Sequence, residues 1–174
     1  MKVVVINGAA ESGKDKFIRC IRDNVSKLNI FNLSTIYPSK EALKILGWDG
    51  ERKTEENRQA MVDLKRISMK LFNGPFEYIR KEVNICLNIA DHEMRGKIFF
   101  VHCREPEEIQ KFVDHYRENC ITLLIRSPRG KALKNGSDDV VENYDYNYII
   151  ENSETLDELK VKAIAFAKKH LIQE

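Results

Sequence analysis

The feature that most constrains this chain stands at its start. The run Lys2-Val3-Val4-Val5-Ile6-Asn7 passes directly into Gly8-Ala9-Ala10-Glu11-Ser12-Gly13-Lys14, and a helical pattern follows at once. A nearly uninterrupted β-branched run suits a strand covered on both faces, the usual condition of a parallel sheet. Phe17, Ile18, Ile21 and Val25 then recur at spacings of three and four, which predicts a helix from about Gly13 to Lys27. A GxxxxGK sequence between a buried strand and a helix can cradle phosphate. Backbone N–H groups surround the anion, the helix start adds partial positive charge, and Lys14 supplies a full one. Gly8 and Gly13 allow close backbone approach because they carry no Cβ.

The remainder of the chain alternates strands with helices. Asn29 to Ser34, Lys97 to Cys103, Ile121 to Ile125 and Tyr146 to Ile150 read as further strands. After Pro38 a short helical pattern carries Ala42, Leu43 and Leu46 as far as Gly47, and Gly47 to Lys53 reads as a polar loop. Thr54 is a good N-cap, with Glu55 and Glu56 at the positive end of a helix expected to last to about Phe72. Asn73-Gly74-Pro75 breaks that helix and starts another reaching to about Met94. Pro106 with Glu107 and Glu108 opens a helix, and Thr155 with Glu158 forms a capping box for the last one. The pattern predicts a single α/β domain over residues 1–174, with a five-stranded, mainly parallel sheet between helical layers. Three helical segments in about 38–95 exceed what one crossover needs, and insertions above the strand ends of such sheets often shape a substrate site.

Composition narrows the partners. The 29 basic and 27 acidic residues leave a formal charge of +2 and are mixed along the chain, which argues against nucleic acid as the main partner. No apolar run approaches a signal-peptide core or a membrane span, so a cytoplasmic protein without a membrane partner is expected. Cys20, Cys86, Cys103 and Cys120 form no CxxC pair and lie in or beside apolar segments, as reduced structural thiols do. His92, His102, His115 and His170 show no zinc or triad spacing. The oligomeric state is left open.

Lys2 to Phe17 resembles the opening of the nucleoside and deoxynucleoside monophosphate kinases, and the phage-type deoxynucleoside monophosphate kinases carry a similar Gly-Lys-Asp. The resemblance implies a three-layer P-loop kinase fold with ATP as donor, Mg²⁺ as cofactor and a small phosphorylated acceptor, most readily a nucleoside or deoxynucleoside monophosphate. It also implies that the insertion after the second strand binds the acceptor, and that a short lid-like loop lies at about 127–139. Nucleotide contacts are then expected from Gly8, Ala9, Ala10, Glu11, Ser12, Gly13, Lys14, Asp15 and Lys16, and from Asn152 beside the base, although turn formation before the terminal helix is the role its residue type favours.

The sequence also departs from the pattern. Asp15 stands where Ser or Thr normally follows the lysine, and the strand ending at Cys103 carries no Walker B aspartate. Asp15 is therefore the candidate Mg²⁺ ligand, with Glu105 as a second candidate that could instead cap the helix at Pro106. Phosphoryl transfer needs cations where charge accumulates. Lys14, Arg104, Arg126 and Arg129 are the expected catalytic set, and Arg58 the acceptor anchor, with Lys53 and Lys65 as companions. Two rival readings are a kinase of another metabolite such as dephospho-coenzyme A, and a nucleotide-binding regulatory module without efficient catalysis.

Overall fold

The valine and isoleucine run that opens the chain becomes the middle strand of a sheet, with Val3 to Ile6 wholly removed from solvent. The computed structural model describes residues 1–52, 54–89, 96–128, 141–153 and 155–172. In chain order these form β1 (Lys2–Asn7), α1 (Lys14–Asn24), β2 (Leu28–Ser34), α2 (Tyr37–Ile45), α3 (Glu55–Phe72), α4 (Gly74–Asn88), β3 (Gly96–His102), α5 (Pro106–Tyr116), β4 (Cys120–Arg126), β5 (Tyr148–Glu151) and α6 (Leu156–His170). They fall into two compact units, the first made of the described residues of Met1–Asn32 and Ala90–Glu174 and the second of Leu33–Ile89.

The first unit holds the sheet, in the order β2-β3-β1-β4-β5. β1 lies parallel to β3, with Val4 opposite Phe100, and parallel to β4, with Val4 opposite Ile121; β4 and β5 are also parallel. Because strand side chains alternate, Val4, Ile6, Phe100, Leu123 and Ile125 share one face. They bury it against Phe17, Ile18 and Ile21 of α1 and Leu159, Ala163 and Phe166 of α6. Ile109 and Phe112 of α5 are also fully buried, and α5 packs on β4 and β1. The expected layered α/β architecture, with five strands and a mainly parallel sheet, is what the chain forms.

Three boundaries differ from the sequence reading. α1 ends at Asn24 and not near Lys27; the Asn24 amide donates to the Cys20 carbonyl at 2.8 Å and satisfies a last-turn acceptor there. α4 ends at Asn88, where Ile89 turns to extended backbone, and residues 90–94, to which that helix was expected to run, lie outside the described residues. β5 begins at Tyr148 because Asn147 pairs with the Thr122 side chain: Thr122 N–H and hydroxyl both donate to Asn147 Oδ1, and Asn147 N–H donates to Thr122 Oγ1. Tyr146, expected to open the strand, therefore precedes it. All four cysteines are free thiols, and burial pushes the Cys120 thiol up to about 12.

In the second unit Thr54 caps α3 as expected, accepting from Asn57 N–H at 3.3 Å. Asn73, with φ of 51°, joins α3 to α4, and Pro75 occupies the first turn of α4. Tyr37 and Tyr78 stack with centroids 5.7 Å apart, and Met61, Phe76, Ile79 and Val83 are buried. Among the described residues, no helix is long and apolar enough to cross a membrane.

Candidate functional site

β1 delivers its last residue, Asn7, into a buried position at the carboxyl end of the sheet, only 1% exposed. A buried carboxamide has to find partners for both of its ends. Asn7 Oδ1 accepts from Gly8 N–H at 2.8 Å, while Nδ2 donates to the Arg104 carbonyl at 3.2 Å and to the Tyr146 hydroxyl at 2.7 Å. The Tyr146 hydroxyl in turn donates to the Val141 carbonyl at 2.8 Å, and burial raises its phenol pKa above the ordinary tyrosine value.

The chain then turns through Gly8 to Gly13. Gly8 has φ of 145°, and a Cβ there would lie 2.4 Å from the Ile125 carbonyl oxygen, so β4 closes against the loop at that point. Gly13, with φ of 99°, is the N-cap residue of α1, and a Cβ on it would lie 2.4 Å from Asn152 Nδ2. No side chain caps α1 at Gly13, so the positive end of the helix dipole opens onto the loop. Between the glycines Glu11 adopts φ of 62°, a left-handed conformation that costs a non-glycine residue energy, and Ser12 is buried with its N–H on the Ala9 carbonyl at 3.2 Å. Lys14 Nζ folds back over this concavity, donating to the Gly8 carbonyl at 2.5 Å, the Ala9 carbonyl at 2.7 Å and Ser12 Oγ at 3.3 Å. An ammonium group, a helix start without a side-chain cap and backbone turned by two positive-φ glycines are the components of an anion site.

Asn152 has a task that the sequence reading did not name. Its backbone N–H donates to the Arg126 carbonyl at 2.7 Å and its Nδ2 to the Ser12 carbonyl at 2.9 Å, so it ties the loop to the end of β4. The sequence missed this because residues 12 and 152 meet only through the sheet. It also missed His102, whose Nε2 lies 2.8 Å from Asn32 Oδ1 and 3.6 Å from Asp15 Oδ1. These three side chains come from β2, β3 and α1, so no local spacing could show them.

Asp15 is otherwise open, with 79% of its side chain exposed, and Lys16 is exposed beside it in the first turn of α1. A single open carboxylate beside a phosphate-type loop is compatible with Mg²⁺, which keeps several waters and takes one or two carboxylates together with phosphate oxygens. Among the described residues no group of three His, Cys, Asp or Glu side chains clusters as a metal cage. Glu105 occupies the N-cap position of α5, but its side chain makes no capping bond. The capping role weighed for it is not what the structure shows; its Oε2 lies 3.9 Å from the Cys103 sulfur.

The expected cations are distributed unevenly. Arg104 follows β3 and is half-buried, with its carbonyl on Asn7. Arg126 ends β4 and is held by two carboxylates: Nε and Nη2 donate to Glu142, and Nη1 donates to Glu151 at 2.9 Å. Those bonds raise the Arg126 pKa and hold the Glu142 carboxyl below its usual range. In the second unit Arg58 is ion-paired with Glu55 at 3.8 Å, and Lys65 is only 5% exposed with Nζ on the Thr35 hydroxyl at 3.0 Å. Lys53, Arg129 and residues 129–139 of the lid-like stretch lie outside the described residues.

Comparison with known proteins bears on the fold. No family model and no curated protein matches the sequence. Solved structures do match. Thermus thermophilus TT1252 is 12% identical with a TM-score of 0.53, covering 97% of this chain and 97% of that one. The APS kinase CysC of Mycobacterium tuberculosis, in complex with AMPPNP and APS, is 12% identical with a TM-score of 0.50, covering 96% of this chain and 97% of that one. The strand order, the loop after β1 and these likenesses together show that the chain has the α/β fold of the P-loop kinases.

Proposed function

We propose that this protein is an ATP-dependent phosphotransferase acting on a small phosphorylated acceptor, with a nucleoside or deoxynucleoside monophosphate as the acceptor class. The observation that carries the reading is the Gly8–Lys14 loop, where the Lys14 ammonium and the start of α1 face one concavity shaped by two positive-φ glycines. The APS kinase of the same fold was solved with AMPPNP and APS, which supports a nucleoside triphosphate as donor.

In this reading the phosphates replace the Gly8 and Ala9 carbonyls as partners of Lys14 Nζ. Loop N–H groups and Lys14 orient the transferring group, and catalysis is positioning plus electrostatics. Mg²⁺, when bound, neutralises phosphate charge, and Asp15 is the residue assigned to hold it, with Glu105 as second candidate. Arg104, Arg126 and Arg129 are assigned to charge developing on the phosphoryl group. Arg126 must first give up Glu142 or Glu151 to serve there. Arg58 is assigned to the acceptor with Lys53 and Lys65 as companions; Lys65, enclosed with its Nζ on the Thr35 hydroxyl, must first give up that bond to serve there.

The test is a coupled assay of ADP formation over a panel of nucleoside and deoxynucleoside monophosphates, with Lys14→Ala as control. Acceptor-stimulated turnover is expected from the wild type. Lys14→Ala is expected to weaken ATP binding roughly 10- to 100-fold, the worth of a charge-assisted hydrogen bond. ATP binding without turnover on any nucleotide would remove the acceptor class.

A further inference from the structure

The loop is held at both ends by carboxamides that come from outside it. At its entry, Asn7 Oδ1 takes Gly8 N–H, and Asn7 Nδ2 is anchored on the Arg104 carbonyl and the Tyr146 hydroxyl. At its exit, Asn152 Nδ2 takes the Ser12 carbonyl while Asn152 N–H is anchored on the Arg126 carbonyl. Between them Gly8 and Gly13 take positive φ as glycine readily does, but Glu11, at φ of 62°, holds a left-handed conformation that is unfavourable for a residue with a side chain. A non-glycine residue keeps that conformation only where its surroundings over-determine it. The glycine at 13 serves the exit clamp as well, because a Cβ there would lie 2.4 Å from Asn152 Nδ2 and displace the amide from Ser12.

We infer that Asn7 and Asn152 are positioning residues for phosphate binding: together they hold the Gly8–Lys14 loop in its anion-receptive conformation before a nucleoside triphosphate arrives. This rests on the donor-site reading given above. The physical reason is preorganisation. A loop already turned toward the anion loses no conformational freedom on binding, so each clamp appears in affinity for the triphosphate even though neither side chain need touch it. Asn152 is the more informative of the two. It is only half-buried, so its removal should spare the fold, whereas Asn7 is enclosed and all its partners would be orphaned together.

The experiment uses the full chain with Asn152→Leu, which keeps the branched shape of the side chain and carries no donor, and Asn152→Ala as a second variant. Binding of AMPPNP and of inorganic tripolyphosphate is measured by calorimetry, and amide hydrogen exchange of Gly13 and Lys14 is measured on the ligand-free protein. Both variants are expected to bind either ligand roughly 3- to 10-fold more weakly, the equivalent of one lost hydrogen bond. The loop amides should exchange faster while those of β1 and β4 do not. In turnover, the loss should appear in the ATP KM and leave kcat nearly unchanged. Wild-type affinity together with unchanged loop exchange in both variants would overturn the inference. If the wild type bound neither ligand, the donor-site reading would fall, and the exchange measurement would still decide the clamp by itself.

Discussion

At the residue scale, the side chains that shape the site are mostly uncharged. The charged residues expected to matter are visible in any reading of the sequence, but Asn7, Tyr146 and Asn152 fix where the loop sits. Tyr146 offers a direct check. Burial raises its phenol pKa above the ordinary value of about 10, so the neutral hydroxyl is the form the fold favours. Its stabilising contribution is fully present below about pH 10 and is lost as pH rises through the higher folded-state value. Tyr146→Phe should therefore cost roughly 1 kcal/mol at neutral pH, since Asn7 Nδ2 and the Val141 carbonyl each lose a partner. The variant should also show a shallower fall in melting temperature on the alkaline side than the wild type. Equal alkaline slopes would show that Tyr146 ionises as an exposed tyrosine does.

At the element scale, the helix starts were the most legible features, because capping is local chemistry. Thr54 and Thr155 were readable as caps, and both accept from the N–H three residues on. Thr155 completes a reciprocal box, with Glu158 Oε2 accepting from Thr155 N–H at 2.8 Å. Thr155→Ala should lower stability by about 1 kcal/mol, seen as a lower denaturant midpoint with an unchanged slope. Helix and strand ends set by side chains from elsewhere were not legible. The start of β5 depends on Thr122, which is far from Asn147 in sequence, and the Glu105 position has the location of a cap without the bond. The loop after β1 combines the two cases: its glycines and lysine announce themselves, and its clamps do not.

At the scale of the molecule, the sheet of the first unit is bound to α1 and α6 through a shared aromatic contact. Phe166 meets Phe17 edge-on at 5.7 Å and Tyr148 at 5.6 Å, joining the last helix to the first and to the edge strand. Phe166→Ala should cost about 3–5 kcal/mol, measured by chemical denaturation. A cost below about 1 kcal/mol would mean that α6 is peripheral to the core. By itself the sequence determined the alternation of strands and helices, the buried character of β1 and the phosphate-type loop, since each depends on periodicity or on residues adjacent in the chain. Only the tertiary structure decided which residues hold that loop. Asn7 reaches Arg104 and Tyr146, Asn152 reaches Ser12, and His102 lies beside Asp15, because parallel strands bring distant segments together at one sheet edge. Hydrogen bonds of that kind leave no periodic trace in the chain, which is why the loop could be read from the sequence and its supports could not.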